Sequence, residues 1–183
     1  MKVNTSRFGV VEVADTDIME FSDGLLGFEH LKRFCIVDPA DETLILWLQS
    51  ADAPEVAFPI LEPKLFKGDY KVRLSANELR SLKIDAGNKK DTLVYCILTI
   101  PAEVSAMTAN LKAPIVINTA SRMARQVVLQ ENEYSVKFAM YKELLAVMMG
   151  AAPAMNKVAK GDEVAASALS LKQASSKVEV VAL

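Results

Sequence analysis

The stretch TANLKAPIVINTASRMARQVVL, Thr108 to Leu129, decides how the rest of this chain is read. It holds two short β-branched runs, Ile115-Val116-Ile117 and Val127-Val128-Leu129, with a polar connection from Asn118 to Arg125 between them. Side chains of that type fit a pleated, half-buried surface. Pro114 has no backbone N–H and belongs at the first residue of a strand or on an edge. Asn118-Thr119 ends the first run in residues that bond their own backbone and favour turns. The segment predicts strand, turn and strand, and no catalytic constellation lies in it.

Working outward, the same pattern of short strands and turn chemistry recurs. Val3 to Thr5 and Phe8 to Val13, on either side of Ser6-Arg7, predict an opening hairpin. Cys35 to Asp38 predicts a strand stopped by Pro39, and Val56 to Leu61 one bounded by Pro54 and Pro63. Leu44 to Leu48 and Thr92 to Ile100 are apolar on both faces, as central strands covered on two sides are. Tyr70, Val72 and Leu74 alternate with Lys71 and Arg73, a half-buried strand. Ser75-Ala-Asn-Glu78 is a capping box, so one short helix runs to about Leu82. Gly87-Asn88 predicts a turn, and Tyr134 to Met140 a last strand. The expectation is an all-β, mainly antiparallel domain of about nine or ten short strands with one short helix. A small barrel is preferred to an open sheet because closure removes the unpaired edges.

The domain spans residues 1–149, and composition then changes. From Ala151 onward Ala, Ser, Lys and Val dominate and aromatics vanish, so residues 150–183 predict a low-complexity, flexible tail. Within it, Ala165 to Gln173 has the content of a helical turn or two. The run Val178-Glu-Val-Val-Ala-Leu183 has the content of a strand able to pair with a sheet edge, in its own chain or a partner.

Bulk properties narrow the function. The chain has 183 residues, 51% hydrophobic, and a formal net charge of −2 with both signs mixed along its length. Strong binding to a phosphate backbone requires a basic face, and the one local basic cluster, Lys64, Lys67, Lys71 and Arg73, reads as a solvated strand face. Phe34, Trp47, Phe58, Phe66 and Tyr95 fall within apolar runs, where core packing explains them better than base stacking. Cys35 and Cys96 lie in apolar runs and read as reduced, buried thiols. The N-terminus has no apolar signal region and no run approaches a membrane span, which predicts a soluble cytoplasmic protein without membrane contact.

Enzymatic chemistry has little to draw on. One histidine, His30, and two cysteines cannot build the usual zinc sites, and nothing aligns His30 with Cys35 as a dyad. No phosphate-cradling glycine motif is present, and Asp15 with Asp17, or Asp38 with Asp41, read as solvated loop carboxylates. The sequence therefore predicts a non-enzymatic interaction protein, with no cofactor and no metal.

The wording of two blocks is specific enough to suggest a family. Thr108-x-Asn110-Leu111-x-Ala113-Pro114-Ile115-Val116-Ile117-Asn118, followed by Gln126-Val-Val-Leu129, is one. Phe21-x-x-Gly24-x-x-Gly27-Phe28, then Phe34 and Leu48-Gln49-Ser50, is the other. Across roughly residues 5 to 140 the chain resembles the flagellar assembly factor FliW family. The resemblance implies a small, mostly antiparallel barrel-like fold. It also implies two protein partners, flagellin and the translational regulator CsrA, with no direct contact to nucleic acid. In such a system, free flagellin occupies the factor, and its export releases the factor to capture CsrA and lift repression of flagellin synthesis. Gly24, Gly27, Phe28, Gln49, Asn110, Pro114 and Asn118 carry the resemblance and read as structural. The partner surface is expected on the exposed side of the Tyr70 to Leu74 strand and the adjacent strand, at Asp69, Lys71, Arg73, Val94 and Leu98. The resemblance implies an acidic residue after the Asp69-Tyr70 pair; here Lys71 reverses the charge. The alternative is a β-barrel module for another protein or for single-stranded RNA, whose affinity would fall steeply with salt.

Overall fold

Closure of one β wall organises the molecule, and Ile115–Asn118 closes it. The computed structural model describes residues 1–40, 43–85, 90–130, 133–149 and 179–182. The strands begin with β1 (Lys2–Thr5), β2 (Gly9–Glu12), β3 (Met19–Phe21), β4 (Arg33–Val37), β5 (Leu46–Ser50) and β6 (Ala57–Leu61). They continue with β7 (Lys71–Leu74), β8 (Thr92–Thr99), β9 (Thr108–Ala109), β10 (Ile115–Asn118), β11 (Met123–Gln126), β12 (Phe138–Ala139) and β13 (Glu179–Ala182). Two helices are present, α1 (Ala76–Ser81) and α2 (Tyr141–Met148).

Strand β10 pairs with β11 on one side and with β8 on the other, Ile117 opposite Leu93 and Ile115 opposite Tyr95. The ring therefore runs β10, β11, β3, β4, β5, β6, β8 and back to β10. Every contact in it is antiparallel except β11 with β3. The fold is the mainly antiparallel barrel that the alternation and turn spacing predict.

The period of two sorts side chains inside and outside. Met19 and Phe21, Phe34 and Ile36, Leu46 and Leu48, Phe58 and Ile60, Leu93 and Tyr95, Ile115 and Ile117, and Ala124 form one apolar cluster inside the ring. Phe21 and Phe34 meet edge to face at 5.0 Å, both fully buried. Each such side chain contributes roughly 1.5–3 kcal/mol by leaving water. The outer wall is covered in two places. The β1–β2 hairpin lies over Cys35, Val37 and Trp47. A larger second core gathers Val94, Cys96 and Leu98 of β8, Val116, β7, α1, α2, Leu111, Val127 and Leu129. Both faces of β8 are thereby covered, as its unbroken apolar run predicts.

Local chemistry sets the boundaries. Ser75 Oγ accepts from the Glu78 N–H and Glu78 Oε2 accepts from the Ser75 N–H, the reciprocal cap that starts α1. Asn118 Oδ1 accepts from the Ala120 and Ser121 N–H groups, while Nδ2 donates to the Leu82 and Lys83 carbonyls, tying the β10–β11 turn to the end of α1.

Four expectations change. The second strand of the opening segment is Met123–Gln126, not Val127–Leu129. Beyond Gln126 its neighbour is Pro114, which accepts from the Val127 N–H but has no N–H to return, so the ladder stops. Val127 and Leu129 instead pack into the second core. Of Tyr134 to Met140 only Phe138–Ala139 pairs. A second helix, α2, follows Met140, whose side chain makes no cap hydrogen bond, so the usual start signal is missing. The strands number more than nine or ten because several last only two to four residues. The Gly87-Asn88 turn, Asp41 and the Ala165–Gln173 segment lie outside the described residues.

Gly24 and Gly27 separate two kinds of glycine requirement. Gly24 has φ +73°, and a Cβ there would stand 2.7 Å from Glu29 Cα and the Phe28 carbonyl oxygen. Gly27 has φ +82° with nothing within 4 Å of such a Cβ. In urea unfolding, Gly24→Ala is expected to cost on the order of 3 kcal/mol, since backbone must move. Gly27→Ala is expected to cost about 1 kcal/mol, the left-handed strain alone.

Candidate functional site

The surface expected to bind partners is built on β7. Val72 and Leu74 are fully buried in the second core, which turns Lys71 and Arg73 outward. Tyr70, also fully buried, anchors the strand: its hydroxyl donates to the Leu111 carbonyl at 2.7 Å, and its ring lies 4.7 Å from that of Tyr134. The Tyr134 hydroxyl accepts from the Lys71 N–H at 3.2 Å. A cleft of about 380 Å3 results, lined by Lys67, Asp69, Lys71, Arg73, Glu133 and Tyr134. Lys67 pairs with Asp69 at 2.5 Å and holds its carboxyl below the usual range. Lys71 pairs with Glu179 of β13 at 2.8 Å, and that hydrogen bond raises its ammonium above the usual range.

Three expected residues, Asp69, Lys71 and Arg73, thus share one cleft. Val94 and Leu98 do not belong with them. They are 2% and 3% exposed, pointing into the second core beneath β7 rather than out beside it. Alternation along β8 places the other set, Leu93, Tyr95 and Ile97, toward the barrel interior, so neither face of this strand is free. The cleft residues that sequence reasoning missed as site residues are Lys67, Glu133, Tyr134 and, beside them, Glu179. Only the strand-like content of the Val178–Leu183 run pointed toward the last.

The barrel itself offers a second surface. At the end where β3 begins, Met19, Ile36, Leu93 and Ile117 line a mouth of about 440 Å3, rimmed by Thr16, Asp17, Thr119 and Arg122. An apolar floor with a few polar rim groups is the usual make-up of a binding cavity. The Gly24–Phe28 loop leaves from the other end of β3. There Phe28 packs edge to face on Phe58 at 5.2 Å, and Leu26 N–H donates to Gln126 Oε1.

The remaining motif residues sit within the framework. Gln49, fully buried, directs Nε2 at the carbonyls of Ser50, Ala53, Pro54 and Val56, at 2.9 to 3.4 Å, and so gathers the β5–β6 turn around one amide. Asn110 Oδ1 accepts from the Ala113 N–H, setting the bend before Pro114.

Reactive groups are few and quenched. His30 is exposed in the β3–β4 loop, whereas Cys35 is fully buried under the hairpin, so the two form no dyad. Burial raises the Cys35 thiol, with Asp17 adding to the effect, and burial raises Cys96 much further. Among the described residues no three or more His, Cys, Asp or Glu side chains gather as metal ligands, and no helix is long and apolar enough to cross a membrane.

Fold and surfaces together define a closed β-barrel with a charged cleft outside β7 and an apolar mouth at one end. The FliW protein family model matches residues 2–140, and the chain belongs to that family of flagellar assembly factors, which are not enzymes. It is 43% identical over 144 residues to the flagellar assembly factor FliW of Bdellovibrio bacteriovorus, covering 79% of this chain and 81% of that protein. It is 37% identical over 145 residues to that of Thermoanaerobacter pseudethanolicus, covering 79% of this chain and 95% of the relative. A crystal structure of the flagellar assembly factor FliW superposes with a TM-score of 0.71 at 34% identity, covering 77% of this chain and 97% of that one.

Two measurements check the chemistry of the interior. Both thiols are expected to stay unreactive toward DTNB until the chain is unfolded, because neither thiolate forms in the native state. Tyr95 is pushed up to about 12 by burial first and Glu62 second, from an ordinary value of 10.0. The folded state then holds its phenolic proton where the unfolded chain has lost it, so stability is full below about pH 10 and falls as pH rises toward 12. Guanidinium midpoints should drop across that window, and Tyr95→Phe should flatten the drop.

Proposed function

We propose that this chain is a cytoplasmic binder of flagellin monomer that also captures CsrA, coupling flagellin synthesis to export. Membership of the FliW family across the whole barrel supports this reading most directly. The surfaces add chemical detail. The apolar mouth takes side chains from an amphipathic helix of flagellin, an interaction driven by burial and tolerant of salt. The β7 cleft takes the regulator, with Asp69, Lys71 and Arg73 as contacts. Since Lys71 stands where the family resemblance implies an acidic residue, the regulator that matches this chain carries an acidic group opposite it.

Strand β8 lies between the two surfaces. Leu93 lines the mouth on one face while Val94, the next residue, packs beneath β7 on the other. A ligand that shifts β8 at the mouth therefore alters the bed of β7. Coupling of this kind is reciprocal, and a hundredfold mutual weakening requires about 2.7 kcal/mol.

Calorimetric titration with the organism's own flagellin and its CsrA tests the reading, each repeated after saturation with the other. Binding to both with mutual exclusion is the expected result. Leu93→Gln should weaken flagellin at least tenfold and spare CsrA; Arg73→Glu should do the reverse. Binding to neither, or an affinity for single-stranded RNA that falls steeply with salt, would overturn it.

A further inference from the structure

Strand β13 lies beyond the residues the family shares, yet its seat is well specified. It runs parallel to β7 with Glu179 opposite Lys71, Val180 opposite Val72, Val181 opposite Arg73 and Ala182 opposite Leu74. The faces agree: Glu179 is exposed beside exposed Lys71, and Val180, 4% exposed, joins Val72 in the second core. A slip of one residue would drive the Glu179 carboxylate into that core and turn Val180 out, so the register is fixed by chemistry. Among the described residues β7 pairs with no other strand. The edge that β13 fills thus adjoins the cleft at Lys71 and Arg73.

The paired segment is short: a ladder of four residues that includes one ion pair with both side chains about half exposed and one deeply buried valine. Exposed ion pairs add little. Because β13 belongs to the same chain as β7, its pairing is intramolecular and needs no encounter with a second molecule.

We propose that the β7 edge is a strand-addition site for an extended segment of a partner protein, acidic at the position facing Lys71 and β-branched at the position facing Val72, and that Glu179–Ala182 is the chain's own occupant, displaced when the partner docks. Main-chain pairing supplies the general attraction, while the Lys71 charge and the Val72 pocket select the sequence. In this chain the regulator surface carries its own competitor, and partner affinity is lowered by the fraction of time the edge is closed. The inference rests on β7 being a partner surface. Its test contains neither flagellin nor CsrA, so it can fail while the titrations above succeed.

The test is fluorescence anisotropy of a labelled peptide, SSKVEVVAL (residues 175–183), added to the full-length chain. Val180→Asp in the chain releases the tethered strand, and the peptide is expected to bind this variant at least tenfold more tightly than wild type. Glu179→Lys, a surface change that spares the core, should give a several-fold gain. Adding Lys71→Glu to the Val180→Asp chain should abolish the gain, and a peptide carrying Glu179→Lys should restore it. Hydrogen exchange should rise over residues 71–74 in Val180→Asp while β4 and β5 keep wild-type protection, which shows the barrel folded. Equal peptide affinity for wild type and both variants would overturn the proposal. So would a wild-type dimer in sedimentation whose β7 protection is lost on dilution, since the strand would then be exchanged between copies.

Discussion

The pairing of β10 with β8 is the constraint on which everything else rests. It turns a row of strands into a ring, and only a ring gives Met19, Phe34, Leu48, Ile60 and Ile117 a common interior. The same pairing fixes which face of β8 looks outward. Val94, Cys96 and Leu98 then become the floor of a second core, and β7, α1 and α2 have something to lie on. The exposed chemistry of Lys71 and Arg73 is a remote effect of that arrangement, because it follows from Val72 and Leu74 being drawn down onto β8. The charged cleft is here the outer side of a layer placed by hydrophobic burial.

Much of this was legible in the sequence for a physical reason: the signals that mark it are local. The cap of α1 needs only Ser75 and Glu78. The alternation of β7 needs only four residues. The double-sided burial of β8 shows as an unbroken apolar run. What could not be read required knowing a neighbour. The end of β11 depends on Pro114 across the ladder, nine residues before Met123 in the chain but adjacent in space. The direction of Val94 and Leu98 depends on which face of β8 looks into the barrel, and a strand apolar on both faces does not say which. Helix α2 has no side-chain cap. Its Leu144 is buried, yet Leu145, Met148 and Met149 are 40%, 45% and 75% exposed, so apolar residues fall on more than one side. The partnership of Lys71 with Glu179 joins residues more than half the chain apart, and neither residue type implies the other.

The division between framework and surface is sharp at the motif residues. Gly24, Gln49, Asn110, Pro114 and Asn118 make their contacts to backbone, and their roles are to hold turns in place. Gln49 is the strongest case: its amide nitrogen lies nearest the Ser50 and Val56 carbonyls, matching its two N–H donors, with those of Pro54 and Ala53 a little farther off. The proposed partner surfaces lie elsewhere, at Lys71, Arg73 and the barrel mouth, where side chains face the cleft or the cavity instead of the turns.

The contact of β11 with β3 has a further meaning for how the protein is made. It joins Glu20 and Phe21 to Met123 and Ala124, and β11 is the last strand of the ring to leave the ribosome. Until it emerges, Phe21, Phe34 and Leu48 belong to a curved sheet that cannot close, with its apolar face turned to water. Contacts between such distant parts of a chain form late and slowly. The barrel interior is thus one that only the completed ring can cover, so its burial is tied to the last of its strands.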